Sequence, residues 1–147
     1  MNKKIVMITG FAVFATVALA AGSPVAPLEA DEAEIEGVIL HAYIEGVHLN
    51  RDAEAMRGGF HPDFVMTVQG ENGVNRVTLD QWAGGISRAR PQEREITWDF
   101  VEIDVTGTAA IAKVAIYQDG TQIYTDYLGL YKFEDGWRIV TKTFFSH

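Results

Sequence analysis

The sequence predicts an α+β domain in which N-terminal helices pack on one face of a curved antiparallel sheet. Three observations lead there. Between Asp31 and Asn50 the apolar side chains recur at the helical period. From Arg94 onward the pattern changes to alternation, the period of strands. Within that second region two Asp-Gly dipeptides, Asp119-Gly120 and Asp135-Gly136, punctuate the alternation as hairpin turns do. Helices first and strands last place the helices together on one side of the sheet.

The first twenty residues have the character of an address. Lys3 and Lys4 form a positive start, Ile5 to Ala20 are apolar apart from Thr9, Gly10 and Thr16, and Ala18-Leu19-Ala20 supplies a small-x-small cleavage pattern. The apolar run is shorter than the roughly 20 residues a spanning helix needs, and no basic stop-transfer cluster follows. Residues 1–20 are therefore expected to be a signal peptide, cut near Ala20. Export to the periplasm or the medium follows, with no stable membrane insertion after cleavage. Residues 21–30 include two prolines and no periodicity, which suggests a flexible leader. One domain then occupies 31–147, long enough to bury a core without staples.

Ile35, Val38, Ile39, Ala42, Gly46 and Leu49 fall on one helical stripe, widened by Tyr43 and Val47. Asp31 with Glu34 has the form of a capping box. Asp52 restarts a helix that Gly58-Gly59 ends. Phe64–Gln69 and Val74–Val77 are strand-like around a turn at 70–73. Thr78 and Gln81 form a second capping box, opening a helix from Leu79 to about Arg88. Then Ile96, Trp98 and Phe100 alternate in one phase, and Val101, Ile103 and Val105 in the other. A phase flip within one strand is the mark of a β-bulge, which bends a sheet. Strands over 108–118, 121–134 and 137–145 complete the set.

All 20 Asp and Glu lie beyond residue 20, against 10 of the 12 Lys and Arg, so residues 21–147 carry a formal charge of −10. Such a balance gives no electrostatic footing for nucleic acid or an anionic membrane. Cysteine is absent, which excludes disulfides, thiol nucleophiles and a lipidated Cys anchor. There is no GxSxG and no Gly-rich phosphate loop. His41 and His48, seven apart, fall on nearly the same face of an α-helix but lack the i, i+3 or i, i+4 spacing of helical metal ligands. No cofactor or metal is expected.

Candidates for a ligand pocket are therefore aromatic and charged side chains on the helices and strands. Aromatics at these spacings are ordinarily core. Those able to line an apolar pocket include Tyr43, Trp82, Trp98, Tyr117 and Tyr127. With Asp119-Gly120 as a two-residue loop, Lys113 faces Asp126. That pair is either a cross-strand ion pair on a solvated face, worth roughly 0.2–1 kcal/mol, or a polar pair able to orient a ligand. The same parity puts Tyr127, Tyr131, Val140 and Phe144 on one face and Leu128, Leu130, Ile139 and Phe145 on the other. Both faces being apolar, one would line a pocket and the other meet a second copy as a homodimer.

The stretches ILHAYIEGVHLNRDAEAM (39–56), FHPDFVM (60–66) and YLGLYKFEDGWRIVTKTF (127–144) resemble the nuclear-transport-factor-two-like superfamily. They are most similar to its branch called putative lumazine-binding, near the polyketide-cyclase-like and ketosteroid-isomerase-like branches. The resemblance spans the whole expected domain and implies a cone-shaped α+β barrel. It implies no single activity, because that fold hosts enzymes, binders and dimerisation modules. Isomerases of the superfamily have a helix-one tyrosine, where Tyr43 stands. Their carboxylate base would fall in Thr67-Val68-Gln69, which has none, and their second acid falls on Gly129. Isomerase chemistry of that kind lacks its base here. The expectation is an exported, non-catalytic module that binds a small apolar or aromatic ligand. The alternative is a cofactor-independent dehydratase, cyclase or isomerase using Tyr43 with Asp126 or Asp63.

Overall fold

Residues 27–90 and 92–147 are described by a computed structural model, so the expected signal peptide and residues 21–26 lie outside the described part. Helix α1 (Pro27–Val38) begins four residues before the domain was expected to start. Proline suits a first helical position because the N–H it lacks has no partner there. Asp31 is consequently inside the helix and caps nothing. Its carboxylate instead accepts from Lys132 Nζ and Trp137 Nε1, while Glu34 accepts from the Trp137 amide. These contacts tie α1 to the last hairpin of the chain.

From Ile39 to Leu49 the same rod is wound as a π-helix, with bonds spanning five residues, as in Asn50 N–H to Glu45 O at 2.8 Å. Arg51 then turns the chain in the left-handed region at φ 55°. Asp52 caps α2 (Ala53–Gly59) by accepting from the Glu54 and Ala55 amides. Gly46 lets this happen, since a Cβ there would stand 2.9 Å from the Met56 amide nitrogen.

The π winding decides which side chains meet. With about 4.4 residues per turn, positions five apart share a face and positions seven apart oppose each other. Tyr43 and His48 accordingly touch edge to face, their ring centroids 4.8 Å apart. His41, expected beside His48, is exposed and pairs with Glu45, whereas His48 is buried.

Six strands follow, interrupted by α3 (Leu79–Ile86): β1 (Phe60–Gly70), β2 (Gly73–Thr78), β3 (Ile96–Thr106), β4 (Ala109–Gln118), β5 (Thr121–Phe133) and β6 (Gly136–Ser146). The expected Thr78–Gln81 capping box opens α3. The sheet order is β2-β1-β6-β5-β4-β3, every pair antiparallel except β1–β6, which is parallel. The sheet is thus mixed and unclosed, with β2 and β3 at its edges. Its concave face packs on the helices through a core that includes Ile39, Ile44, Phe60, Phe64, Leu128, Leu130 and Trp137.

Asp119 and Gly120 have φ 50° and 77°, the two positive angles a type I′ hairpin demands. In the second hairpin Phe133 pairs with Gly136, so the loop is Glu134-Asp135, one residue earlier than expected. The expected bulge in β3 lies at Val101. Two further bulges were not expected, at Ile123 in β5 and at Val140 in β6. Each inserts one residue and exchanges the two faces beyond it. Phe144 therefore turns inward with Leu128, Leu130 and Ile139, and Phe145 turns outward with Tyr127 and Tyr131, the reverse of the unbulged assignment.

Candidate functional site

The bulge at Ile123 removes the expected Lys113–Asp126 pairing. The partner sum changes by one residue, so Asp126 lies opposite Val114 on the inner face and Lys113 opposite Tyr127 on the outer face. Lys113 there rests over the Tyr127 ring, 5.7 Å from its centroid. The bulge at Val140 has the matching effect on β6, turning Lys142 inward on the strand next to Asp126.

Three polar side chains from distant elements thereby meet inside the cone. The Tyr43 hydroxyl donates to Asp126 Oδ2 at 2.5 Å. Lys142 Nζ is 2.7 Å from Asp126 Oδ1. Tyr43 and Asp126 are fully buried and Lys142 is 4 % exposed. The ammonium sits among four aromatic rings, with centroids at 4.3 Å (Phe144), 5.1 Å (Tyr43), 5.5 Å (Trp82) and 5.8 Å (Tyr124). Ring faces attract a desolvated cation and add to the carboxylate's pull. Burial still dominates the lysine: desolvation lowers its pKa from the usual value, opposed by the adjacent Asp126 charge. Desolvation, with the adjacent Asp126 charge second, raises the Tyr43 phenol well above its usual value.

A cavity of about 230 Å³ opens on this cluster. Tyr43, Trp82, Tyr124, Phe144 and Lys142 line it, with His48, Arg51, Gln92 and Gln118 among the other polar groups. Asp126 stands behind Tyr43 and Lys142 and does not itself line the space. It acts on the cavity through them, by fixing one hydroxyl and one ammonium. His48 is 9 % exposed, and Nε2 has no hydrogen-bond partner. Burial, reinforced by the Lys142 and Arg51 charges, lowers its pKa to about 3 and keeps it neutral.

Of the residues singled out from sequence, Tyr43 and Trp82 line the cavity and Asp126 supports it. Trp98 is half-buried and packs against the core. Lys113, Tyr117 and Tyr127 line a shallow groove on the opposite, outer face of the sheet. Asp63 has a side chain 94 % exposed near His61, outside the cavity. Gly129 holds no acid and sits against the Thr141 methyl at the β6 bulge. The sequence pattern does not single out Lys142 or Arg51, and it raises His48 only as a possible metal ligand. Lys142 could have been noticed as a lone charge among Ile139, Val140 and Phe144, but only the bulge tells which way it points.

The family described as Putative lumazine-binding matches residues 30–145. The aldolase FrzH of Cladobotryum sp is 31% identical over 124 residues, covering 78% of this chain and 92% of that protein. An NTF-2 like protein of unknown function from Silicibacter pomeroyi superposes with a TM-score of 0.70 at 19% identity, covering 82% of this chain and 98% of the other. One from Shewanella baltica, also of unknown function, gives 0.69 at 25% identity, with 84% and 98% covered. The open cone and the family match over residues 30–145 lead to one assignment: the chain belongs to the Putative lumazine-binding family of the nuclear-transport-factor-two-like superfamily.

Proposed function

We propose that the cone binds a small, largely apolar molecule bearing a hydrogen-bond-accepting oxygen, and that Lys142 meets that oxygen. The observation that carries this reading is the Lys142 head group. It lines the cavity, is almost wholly buried, and has Asp126 as its ion-pair partner. An ammonium has three N–H donors, so Asp126 leaves capacity for a ligand acceptor, and aromatic walls suit a flat body. The cavity is smaller than the roughly 300–1,000 Å³ of drug-sized pockets, which favours a small ligand. Native mass spectrometry of the purified protein with aromatic ketones and with their hydrocarbon counterparts tests this. Adducts are expected with the ketones and are lost in Lys142→Met. Equal retention of the hydrocarbons, or ketone adducts surviving that substitution, counts against the role given to Lys142.

A second reading has one specific observation in its favour: Tyr43, Asp126 and Lys142 are in mutual contact, and a 31% identical relative is an aldolase. In this reading the chain is a lyase or isomerase acting on a carbonyl compound. The Lys142 ammonium would hold the oxygen as charge develops on it, with Asp126 as a positioning residue. Deuterium exchange into the α-carbon of a bound ketone, followed by NMR, separates a catalyst from a binder.

The proposal retains export, on the strength of the Lys3–Ala20 pattern, and self-association. The outer face of the sheet exposes Val101, Ile111, Tyr131 and Phe145, the last 62 % exposed. This supports a homodimer in which a second copy covers that face.

A further inference from the structure

The cavity has a second polar end, formed where the π-helix gives way to α2. Arg51 and His48 both line it. Arg51 is half-buried and holds its backbone at φ 55°, a region a bulky side chain occupies only when its surroundings impose it. That turn folds the guanidinium back over the π-helix, where Nη1 donates to Val47 O at 2.8 Å. The buried Nε has no partner, and neither does Nε2 of His48. Among the described residues no carboxylate lies within ion-pair distance of Arg51. Lys142 has Asp126 as counter-charge, so the guanidinium is the unbalanced charge of the cavity. This positive site sits in a chain of formal net charge −8. Buried donors and charges without partners are costly, and strain is commonly kept where a ligand repays it.

We infer that Arg51 and His48 form an anion subsite, and that the ligand is a small monocarboxylate whose aromatic or alkyl body also carries the carbonyl oxygen that Lys142 meets. This deepens the reading of the cone as a binding site and rests on it. The free Nε edge of Arg51 offers the paired N–H geometry that grips a carboxylate. His48, neutral, adds a third donor in its Nε2–H tautomer. The body then lies along Trp82 and Tyr124 and brings its carbonyl oxygen to Lys142.

The test is isothermal titration of the purified protein with a set of small aryl oxoalkanoic acids and with the neutral amides of the same acids. The acids are expected to bind about tenfold or more tightly than the amides, a difference of about 1.4 kcal/mol. Arg51→Gln should bring the two sets within about twofold of each other by weakening the acids alone. Arg51→Lys, which keeps the charge but loses the fork, should fall between, and His48→Phe should weaken the acids less than Arg51→Gln does. Circular dichroism melts of each variant confirm folding before titration. Amides binding as tightly as acids would overturn the anion subsite while leaving the cavity a binding site. Failure of both sets to bind at millimolar concentration would overturn both. An acid preference that survives Arg51→Gln would likewise overturn the assignment to Arg51.

Discussion

Replacing Asp126 by Asn keeps the shape of the side chain and its ability to accept from Tyr43, but removes the charge facing Lys142. The lysine ammonium, 4 % exposed and 2.7 Å from Oδ1, then has no counter-ion. Breaking a buried pair by removing one partner costs about 3–5 kcal/mol. For a domain of this size that lowers Tm by about 12–20 °C, a large part of the 5–15 kcal/mol such domains typically have. Urea unfolding followed by circular dichroism and by tryptophan fluorescence measures it. Two controls separate the ion pair from general damage. Tyr43→Phe should cost less, about 1–3 kcal/mol, as the loss of one buried hydrogen bond. The double variant Asp126→Asn, Lys142→Met should recover much of the loss, because an apolar replacement of both charges is often neutral. The pH dependence has a definite sign. The folded pKa of Lys142 is lowered, so the unfolded chain binds more protons between that value and the ordinary 10.5, and stability rises with pH across the window. Removing Asp126 extends the window downward, so the penalty should shrink as the solution is made alkaline. A loss under about 1 kcal/mol for Asp126→Asn, or a double variant no more stable than the single one, would refute the account of Lys142 as a buried ammonium held by Asp126.

His48 predicts an acid transition. Its pKa is about 3 when folded against 6.5 when free, so the unfolded chain takes up the proton first and stability falls as pH drops from about 6.5 toward 3. Between pH 7 and 4.5 this single group removes about 2.5 kcal/mol, and that slope should be missing from His48→Phe in matched urea titrations. An unchanged difference between the two proteins across that range would show that His48 is not held neutral. On the outer face, light scattering on a sizing column should give twice the chain mass for the protein. Phe145→Glu combined with Tyr131→Glu should give the monomer mass with an intact far-ultraviolet spectrum. A monomeric parent would end the homodimer proposal.

Much of the fold was legible because its signals are local. The Thr78–Gln81 capping box, the Asp52 cap, the Asp119-Gly120 turn and the phase flip at Val101 each reside in a few neighbouring residues, and each appears where expected. The site was only half legible. Tyr43 and Asp126 could be singled out, yet Asp126 was matched to Lys113 because a bulge at Ile123 leaves no phase flip obvious in the one-dimensional pattern. The same holds for Val140, which reverses Lys142, Phe144 and Phe145 together. The π winding was equally hidden: backbone bonds spanning five residues replace those spanning four without any proline or glycine signal unique to them. It is what turns His48 toward Tyr43 and away from His41. In each case one extra residue per turn or per strand redirects every side chain beyond it, and tertiary packing alone selects it.

The parallel β1–β6 pairing has a consequence in time as well as in space. It joins the first and the last strand, around Phe60 and Ile139 or Met66 and Lys142, while Tyr43 reaches Asp126 across 83 positions. Contacts of such long range form only after much loop entropy has been overcome, which slows folding. The three hairpin-linked strands β3–β5 can zip early, but they leave a carboxylate facing a half-built interior until β6 delivers its cation. Maturation of the ligand site should therefore coincide with the last kinetic phase of folding, making ligand capture a reporter of finished molecules and leaving none of it in partly folded ones.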